Sequence, residues 1–112
     1  MRRQSLDGRT FRPAGGRAGS GAVRFEFRED DGLVWATYRG GPVVVGVLAG
    51  VRDGADLRIR YLQIRSDGRR EEGYSLNRLE RHDDGRVRIR EEAAFDSRGS
   101  DTSPVLDEVE SA

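Results

Sequence analysis

The stretch Val23-Arg24-Phe25-Glu26-Phe27-Arg28-Glu29-Asp30-Asp31-Gly32-Leu33-Val34-Trp35-Ala36-Thr37-Tyr38-Arg39-Gly40-Gly41-Pro42 decides the fold. Val23, Phe25 and Phe27 alternate with Arg24, Glu26 and Arg28, a period of two with one wet face. Asp30-Asp31-Gly32 supplies a turn. Leu33 to Arg39 is the next strand, and Gly40-Gly41 accepts the positive φ values of a tight hairpin before Pro42 opens the next segment. Val23, Phe25 and Phe27 are expected to point inward. Arg39 shares a face with Leu33, Trp35 and Thr37, which places Val34, Ala36 and Tyr38 inside and Trp35 outside.

The same grammar continues on both sides. Val43 to Val51 is nearly all apolar, broken by Gly46 and Gly50. Arg52-Asp53-Gly54 turns the chain, and Leu57, Ile59 and Tyr61 alternate with Arg58 and Arg60. Leu62 and Ile64 then break phase, which predicts a bulge near Tyr61. Ser66-Asp67-Gly68 is another turn, followed by a weaker, more polar strand from Arg70 to Leu79. After a turn at His82 to Gly85, Val87, Ile89, Glu91, Ala93 and Phe95 are expected to share one face. Short strands at Arg9 to Pro13 and Ser103 to Val109 complete the set. Seven to eight strands at a spacing of about ten residues indicate an all-β sandwich or barrel. Short connections favour a meander, and a meander of about eight strands closes as an antiparallel up-and-down barrel. Closure also removes the exposed edge that a strand as apolar as Val43 to Val51 would otherwise present.

A chain of 112 residues allows one domain. Residues 1–21 form an N-terminal segment rich in Gly and Arg, expected to be flexible apart from the strand at 9–13; 22–109 form the barrel and 110–112 a tail. The segment 1–21 holds Arg2, Arg3, Arg9, Arg12 and Arg17 against Asp7, whereas the far end, Ser97 to Ala112, carries Asp101, Asp107, Glu108 and Glu110, with Asp96 just before it, against Arg98. The favoured reading is two solvated tails. The alternative is that the ends meet in a closed sheet and their charges attract.

Composition excludes several classes of function. Cysteine is absent, which removes disulfide scaffolds, thiolate metal sites and cysteine nucleophiles. The single histidine, His82, cannot build a histidine-rich metal site. Every basic residue is arginine, so there is neither a Schiff-base lysine nor the lysine of a phosphate-binding loop. A net charge of zero argues against nucleic-acid binding. No apolar run approaches the roughly 20 residues of a membrane helix, and Arg2 and Arg3 precede no apolar stretch, so a cytoplasmic protein without a membrane partner is expected.

Phe25-Glu26-Phe27-Arg28, Leu33-Val34-Trp35-Ala36-Thr37-Tyr38-Arg39-Gly40-Gly41, Gly46-Val47-Leu48-Ala49-Gly50, Arg60-Tyr61 and Asp84-Gly85-Arg86-Val87-Arg88-Ile89 together resemble a family of small bacterial proteins often labelled N-acetylglutamate synthase. The resemblance spans roughly Asp7 to Glu108 and implies a compact lipocalin-like β-barrel. The chain departs from the family at Ala93-Ala94-Phe95, where two aromatic residues are expected. The resemblance carries over no catalytic residue. Acetyl transfer from coenzyme A calls for a pyrophosphate cradle at a helix N-terminus. The nearest stretch, Arg12-Pro13-Ala14-Gly15-Gly16-Arg17, has no strand–helix context, and Arg17 spoils its last position.

No other catalytic constellation emerges. His82-Asp83-Asp84 reads as turn polarity rather than half of a serine triad. Glu71-Glu72 and Glu91-Glu92 are neighbours on a strand and so face opposite sides, which rules out a carboxylate dyad. Glu91 falls on the face of Val87 and Ile89. Three readings stand: an internal pair with Arg78, a site at a barrel end open to water, or a polar hook for a ligand. The aromatics Phe25, Phe27, Tyr38, Tyr61 and Phe95 either fill the core or line a pocket. The candidate ligand-binding set is therefore Phe25, Phe27, Tyr38, Tyr61, Arg78, Glu91 and Phe95, with no catalytic residue, metal or cofactor. The expected function is non-catalytic binding of a small apolar or amphipathic ligand inside the barrel, by a monomer or homodimer. The alternative is a filled barrel that acts through its surface as a protein-interaction module or homodimer.

Overall fold

Alternation over Val23–Arg39 becomes two paired strands in the computed structural model, and six further strands complete a ring. The structure describes residues 5–14, 23–96 and 105–109. In chain order the strands are β1 (Thr10–Pro13), β2 (Arg24–Asp30), β3 (Leu33–Gly40), β4 (Val43–Asp53), β5 (Asp56–Arg65), β6 (Arg70–Arg81), β7 (Val87–Asp96) and β8 (Val105–Glu108). Each pairs antiparallel with its sequence neighbours, and β8 returns to β1, so the barrel is closed. There is no helix among the described residues. Asp31 and Gly32 both take positive φ, 49° and 81°, the conformation that a two-residue hairpin between twisted strands requires.

The inward residues expected on β2, β3 and β5 are inside. Phe27, Val34, Ala36, Tyr38, Leu57, Ile59 and Tyr61 are buried and Phe25 is half-buried, while Trp35 is exposed. Leu6 and Phe11 join this core from the N-terminal side, at 1% and 0% exposure. The Phe11 ring meets Phe27 edge-on at 5.1 Å.

Three expectations are corrected. First, β5 has no bulge near Tyr61. Leu57, Ile59, Tyr61 and Gln63 are all buried and Leu62 faces out, so the alternation is unbroken. Gln63 is polar but inward because its amide is hydrogen-bonded there. The register break sits instead at Val43–Val45 of β4. Second, β7 does not keep one face to Phe95. Asn77 pairs with Glu91 and Leu76 with Ala93, so the extra residue is Glu92 and the phase flips beyond it. Ala94 lies opposite inward Ser75, whereas Phe95 lies opposite Tyr74 and is 63% exposed.

Third, the ends are not two solvated tails over the residues described. β1 pairs with β8, and Arg9 grips both oxygens of Glu108 at 2.9 and 2.7 Å. The glycine-rich run Gly15 to Gly21 and the tail 110–112 lie outside the described residues. On the other flank of β8, Arg88 holds both oxygens of Asp107 and His82 Nε2 approaches it at 3.0 Å. The Arg88 guanidinium keeps the Asp107 carboxyl below its ordinary value of 3.8; His82 adds to this and burial opposes it. A carboxyl whose folded pKa is depressed contributes stability above its unfolded pKa and loses it as pH falls through the folded one. Stability is therefore expected to fall with acidification below about pH 4. In urea melts across that range, Asp107→Asn should show a shallower acid limb than wild type. Identical limbs would refute a stabilising role for this contact.

Candidate functional site

Inward side chains of successive strands form rows around a barrel. One row here runs Phe25, Tyr38, Gly46, Gln63, Glu71, each the register partner of the next from β2 to β6. Phe25 stacks on Tyr38 at 4.2 Å. Gly46 makes room for that stack, because a Cβ there would collide with the edge of the Tyr38 ring. The polar members form one hydrogen-bonded chain. The Tyr38 hydroxyl donates to Gln63 Oε1 at 3.0 Å, and Gln63 Nε2 donates to Glu71 Oε1 at 2.9 Å. Arg65 donates to the same carboxylate oxygen at 3.3 Å. Tyr38, Gln63 and Glu71 are all buried, at 5%, 5% and 4% exposure.

A second row runs Arg52, Leu57, Asn77, Glu91. Asn77 Nδ2 donates to Ser75 Oγ at 2.9 Å and to the Leu57 carbonyl at 3.3 Å. Arg52 leads away to the end of the barrel that carries the β2–β3 and β4–β5 turns. There it binds Glu29 Oε1 at 2.8 Å and the Gly54 carbonyl at 2.8 Å, and Leu6 N–H also donates to Glu29. The interior is thus divided. Leu6, Phe11, Phe27, Val34, Leu57, Val87 and Ile89 provide an apolar packing, whereas Tyr38, Gln63, Glu71, Ser75 and Asn77 provide a hydrogen-bonding wall.

The sequence pattern of the family described as Avidin-like protein matches residues 4–109. The chain belongs to this avidin-like family. No curated protein and no solved structure matches it. The avidin-like barrel places four of the expected ligand-binding residues, Phe25, Phe27, Tyr38 and Tyr61, in its interior. Glu91 is half-buried on the inward face across from Asn77.

Arg78 and Phe95 are not part of the interior. Asn77 and Leu79 take the inward positions, so Arg78 points out, lies opposite Arg90 and meets Asp56 at 3.6 Å. The internal Arg78–Glu91 pair does not form. Phe95 stacks on Tyr74 at 5.4 Å on the outer surface, with the Arg60 guanidinium 5.4 Å above the Tyr74 ring.

Sequence reasoning misses Gln63, Arg65, Glu71, Ser75 and Asn77. Glu71 and Glu72 do face opposite sides, as the strand period requires, and the inward member is the one that matters. The available signal is the spacing Glu71, Gly73, Ser75, Asn77, Leu79, a period-two face that is polar rather than apolar. No group of His, Asp and Glu among the described residues is placed to hold a metal. An outer cleft of about 560 Å³ lies between Ser5–Thr10, Arg24 and Glu108–Val109. The charges of Arg9 and Glu108 in it are already spent on each other.

Proposed function

We propose that this avidin-like barrel binds a small amphipathic molecule against the Tyr38–Gln63–Glu71 wall and does not transform it. The buried hydrogen-bonded chain is the observation that carries the reading. An eight-stranded barrel is just wide enough to be filled by side chains or to hold one small ligand. Apolar filling is the less costly choice, since a buried carboxylate and amide each need compensation. The direction of the chain informs the ligand. Tyr38 donates toward Gln63, and both Gln63 and Arg65 donate to Glu71 Oε1. The Glu71 carboxylate is the acceptor at which the chain ends. The group best suited to it is an N–H donor, with an apolar body lying along Phe25 and Tyr61. Avidin-like proteins bind small ligands such as biotin, which supports this class of function. Catalysis gains no support here: Arg12 and Pro13, the start of the nearest acetyltransferase-like stretch, sit in β1 paired to β8.

Native mass spectrometry of protein purified from its own host tests the reading. A retained mass is expected on wild type and is expected to be lost in Glu71→Gln and Tyr38→Phe, with the circular dichroism spectrum unchanged. Bare protein under these conditions, and again after incubation with a small-molecule extract of the host, would refute it.

A further inference from the structure

The chain has 20 basic and 20 acidic residues, and many of its surface arginines sit on an acid. Arg28 meets Asp7, Arg69 meets Asp67, Arg86 meets Asp84, Arg88 meets Asp107 and Arg90 meets Glu80, at 2.7 to 2.9 Å. The outer face of β1, β2 and β3 departs from this habit. Arg24 and Arg39 are register partners. Phe11 and Phe25 are register partners too, so Arg12, one step after Phe11, comes level with Arg24, one step before Phe25. Three exposed arginines thus stand side by side on three neighbouring strands. None of them has an acidic partner among the described residues. Asp107 continues the row on β8 opposite Arg12, but Arg88 holds both of its oxygens. Glu26, two residues along β2, bounds the row on its other side.

Like charges directly opposite on neighbouring strands destabilise a sheet. Acids are plentiful in this chain, and exposed side chains contribute no packing that would offset the repulsion. An external anion would offset it. Arg24 also lines the outer cleft of about 560 Å³, together with the hydroxyl-bearing Ser5 and Thr10. The other charges lining that cleft are matched, Arg9 by Glu108 and Asp7 by Arg28, which leaves Arg24 as its uncommitted cation. Neighbouring strands lie about 4.8 Å apart, so the three Cα positions span about 10 Å. That span suits a short linear chain of phosphates better than a single one. Guanidinium forks bind phosphate oxygens in pairs, with more directional hold than a point charge gives. Glu26 and Asp107 border the row, so a long polyanion running past it would meet carboxylates, whereas a short one would not.

We propose that the outer face of β1, β2 and β3 binds a small soluble oligophosphate through Arg12, Arg24 and Arg39. This inference is independent of the ligand reading, because the row lies outside the barrel. Isothermal titration of the full chain with inorganic tripolyphosphate, pyrophosphate and orthophosphate tests it. Tripolyphosphate is expected to bind, and orthophosphate at least about tenfold more weakly, because it reaches fewer of the charged donors. Arg24→Gln should weaken tripolyphosphate binding by about tenfold or more. Its urea midpoint without phosphate should be no lower than that of wild type, since a repulsion has been removed. Arg12→Gln and Arg39→Gln should each weaken binding as well. Arg58→Gln, at an exposed position on β5 between Val51 and Leu76, should leave it unchanged. No binding of tripolyphosphate by wild type at millimolar concentration overturns the proposal. Equal losses in Arg24→Gln and Arg58→Gln overturn it too, because the attraction would then belong to the whole surface. Tighter binding of a single-stranded oligonucleotide or of anionic lipid vesicles than of tripolyphosphate would also overturn it, by assigning the row to a polymer or a membrane.

Discussion

Arg52→Met is expected to cost about 3–5 kcal/mol of folding stability, the loss typical of stripping one partner from a buried ion pair. Arg52 and Glu29 are each 6% exposed in their side chains and are joined at 2.8 Å. The pair is well compensated: Leu6 N–H donates to Glu29, and Arg52 Nε donates to the Gly54 carbonyl. It therefore ties three otherwise separate pieces together at one end of the barrel, namely the N-terminal segment, the end of β2 and the β4–β5 turn. Methionine keeps most of the packed stem and removes the charge, which takes the Arg52 cation away from the buried Glu29 carboxyl. Adding Glu29→Gln should recover part of the loss, since glutamine needs no counter-charge. Urea denaturation of the two single variants and the double variant measures the coupling. A domain of this size is usually stable by about 5–15 kcal/mol, so the single variant should unfold at visibly lower denaturant. A midpoint shift worth less than about 0.5 kcal/mol would mean that the pair is solvated and does not staple the end.

How much of the barrel is legible in the sequence depends on what each inward position contains. β2, β3 and β5 can be read because Phe25, Phe27, Val34, Ala36, Leu57 and Ile59 are apolar residues on a wet–dry alternation. β6 can be read only as a polar strand. Its inward positions include Glu71, Ser75 and Asn77, and hydrophobic periodicity cannot register a face that is buried and polar. The candidate site lies mostly on that face, which is why its aromatic half shows in the sequence and its hydrogen-bonding half does not. The bulge at Glu92 has no turn residue to mark it, so plain alternation puts Phe95 on the wrong side; the Arg78–Glu91 pairing fails separately, by one step of hairpin register, because Arg90 lies across from Arg78 and Asn77 across from Glu91. Closure of the ring turns on β1 and β8, four residues each, whose clasp joins Arg9 to Glu108 across 99 positions. Local pattern carries no register over that distance, and opposite charge at the two ends fits solvated tails as well as a seam. Arg52 and Glu29 are invisible for a related reason, since each reads as an ordinary turn-flanking charge until the barrel brings them together.

The two glycines of β4 that face inward are expected to respond differently to the same added methyl group. In an ordinary strand Gly→Ala stabilises by about 0.4–1 kcal/mol through the unfolded chain, so any loss here reports a steric conflict. At Gly50 the new Cβ would collide with the Arg58 carbonyl and lie 2.6 Å from Ile59 Cγ2. The carbonyl is main chain, held by the β4–β5 ladder, and the only relief is to part the two strands. Gly50→Ala is therefore expected to cost about 3 kcal/mol, the upper end of overpacking losses. Trimming the neighbour with Ile59→Val should leave most of that cost in place, because the methyl still meets the backbone. At Gly46 the three nearest atoms all belong to the Tyr38 ring, a side chain that can leave its place. Gly46→Ala should cost less, about 1–2 kcal/mol. It should also abolish ligand retention, since the displaced ring gives up its hydrogen bond to Gln63 and its stack on Phe25. In a Tyr38→Ala background the Gly46→Ala cost should vanish, giving a coupling energy above about 1 kcal/mol by double-mutant cycle. Additive losses for Gly46→Ala and Tyr38→Ala would show that the ring does not rest on the glycine, and would remove the aromatic member of the proposed binding wall.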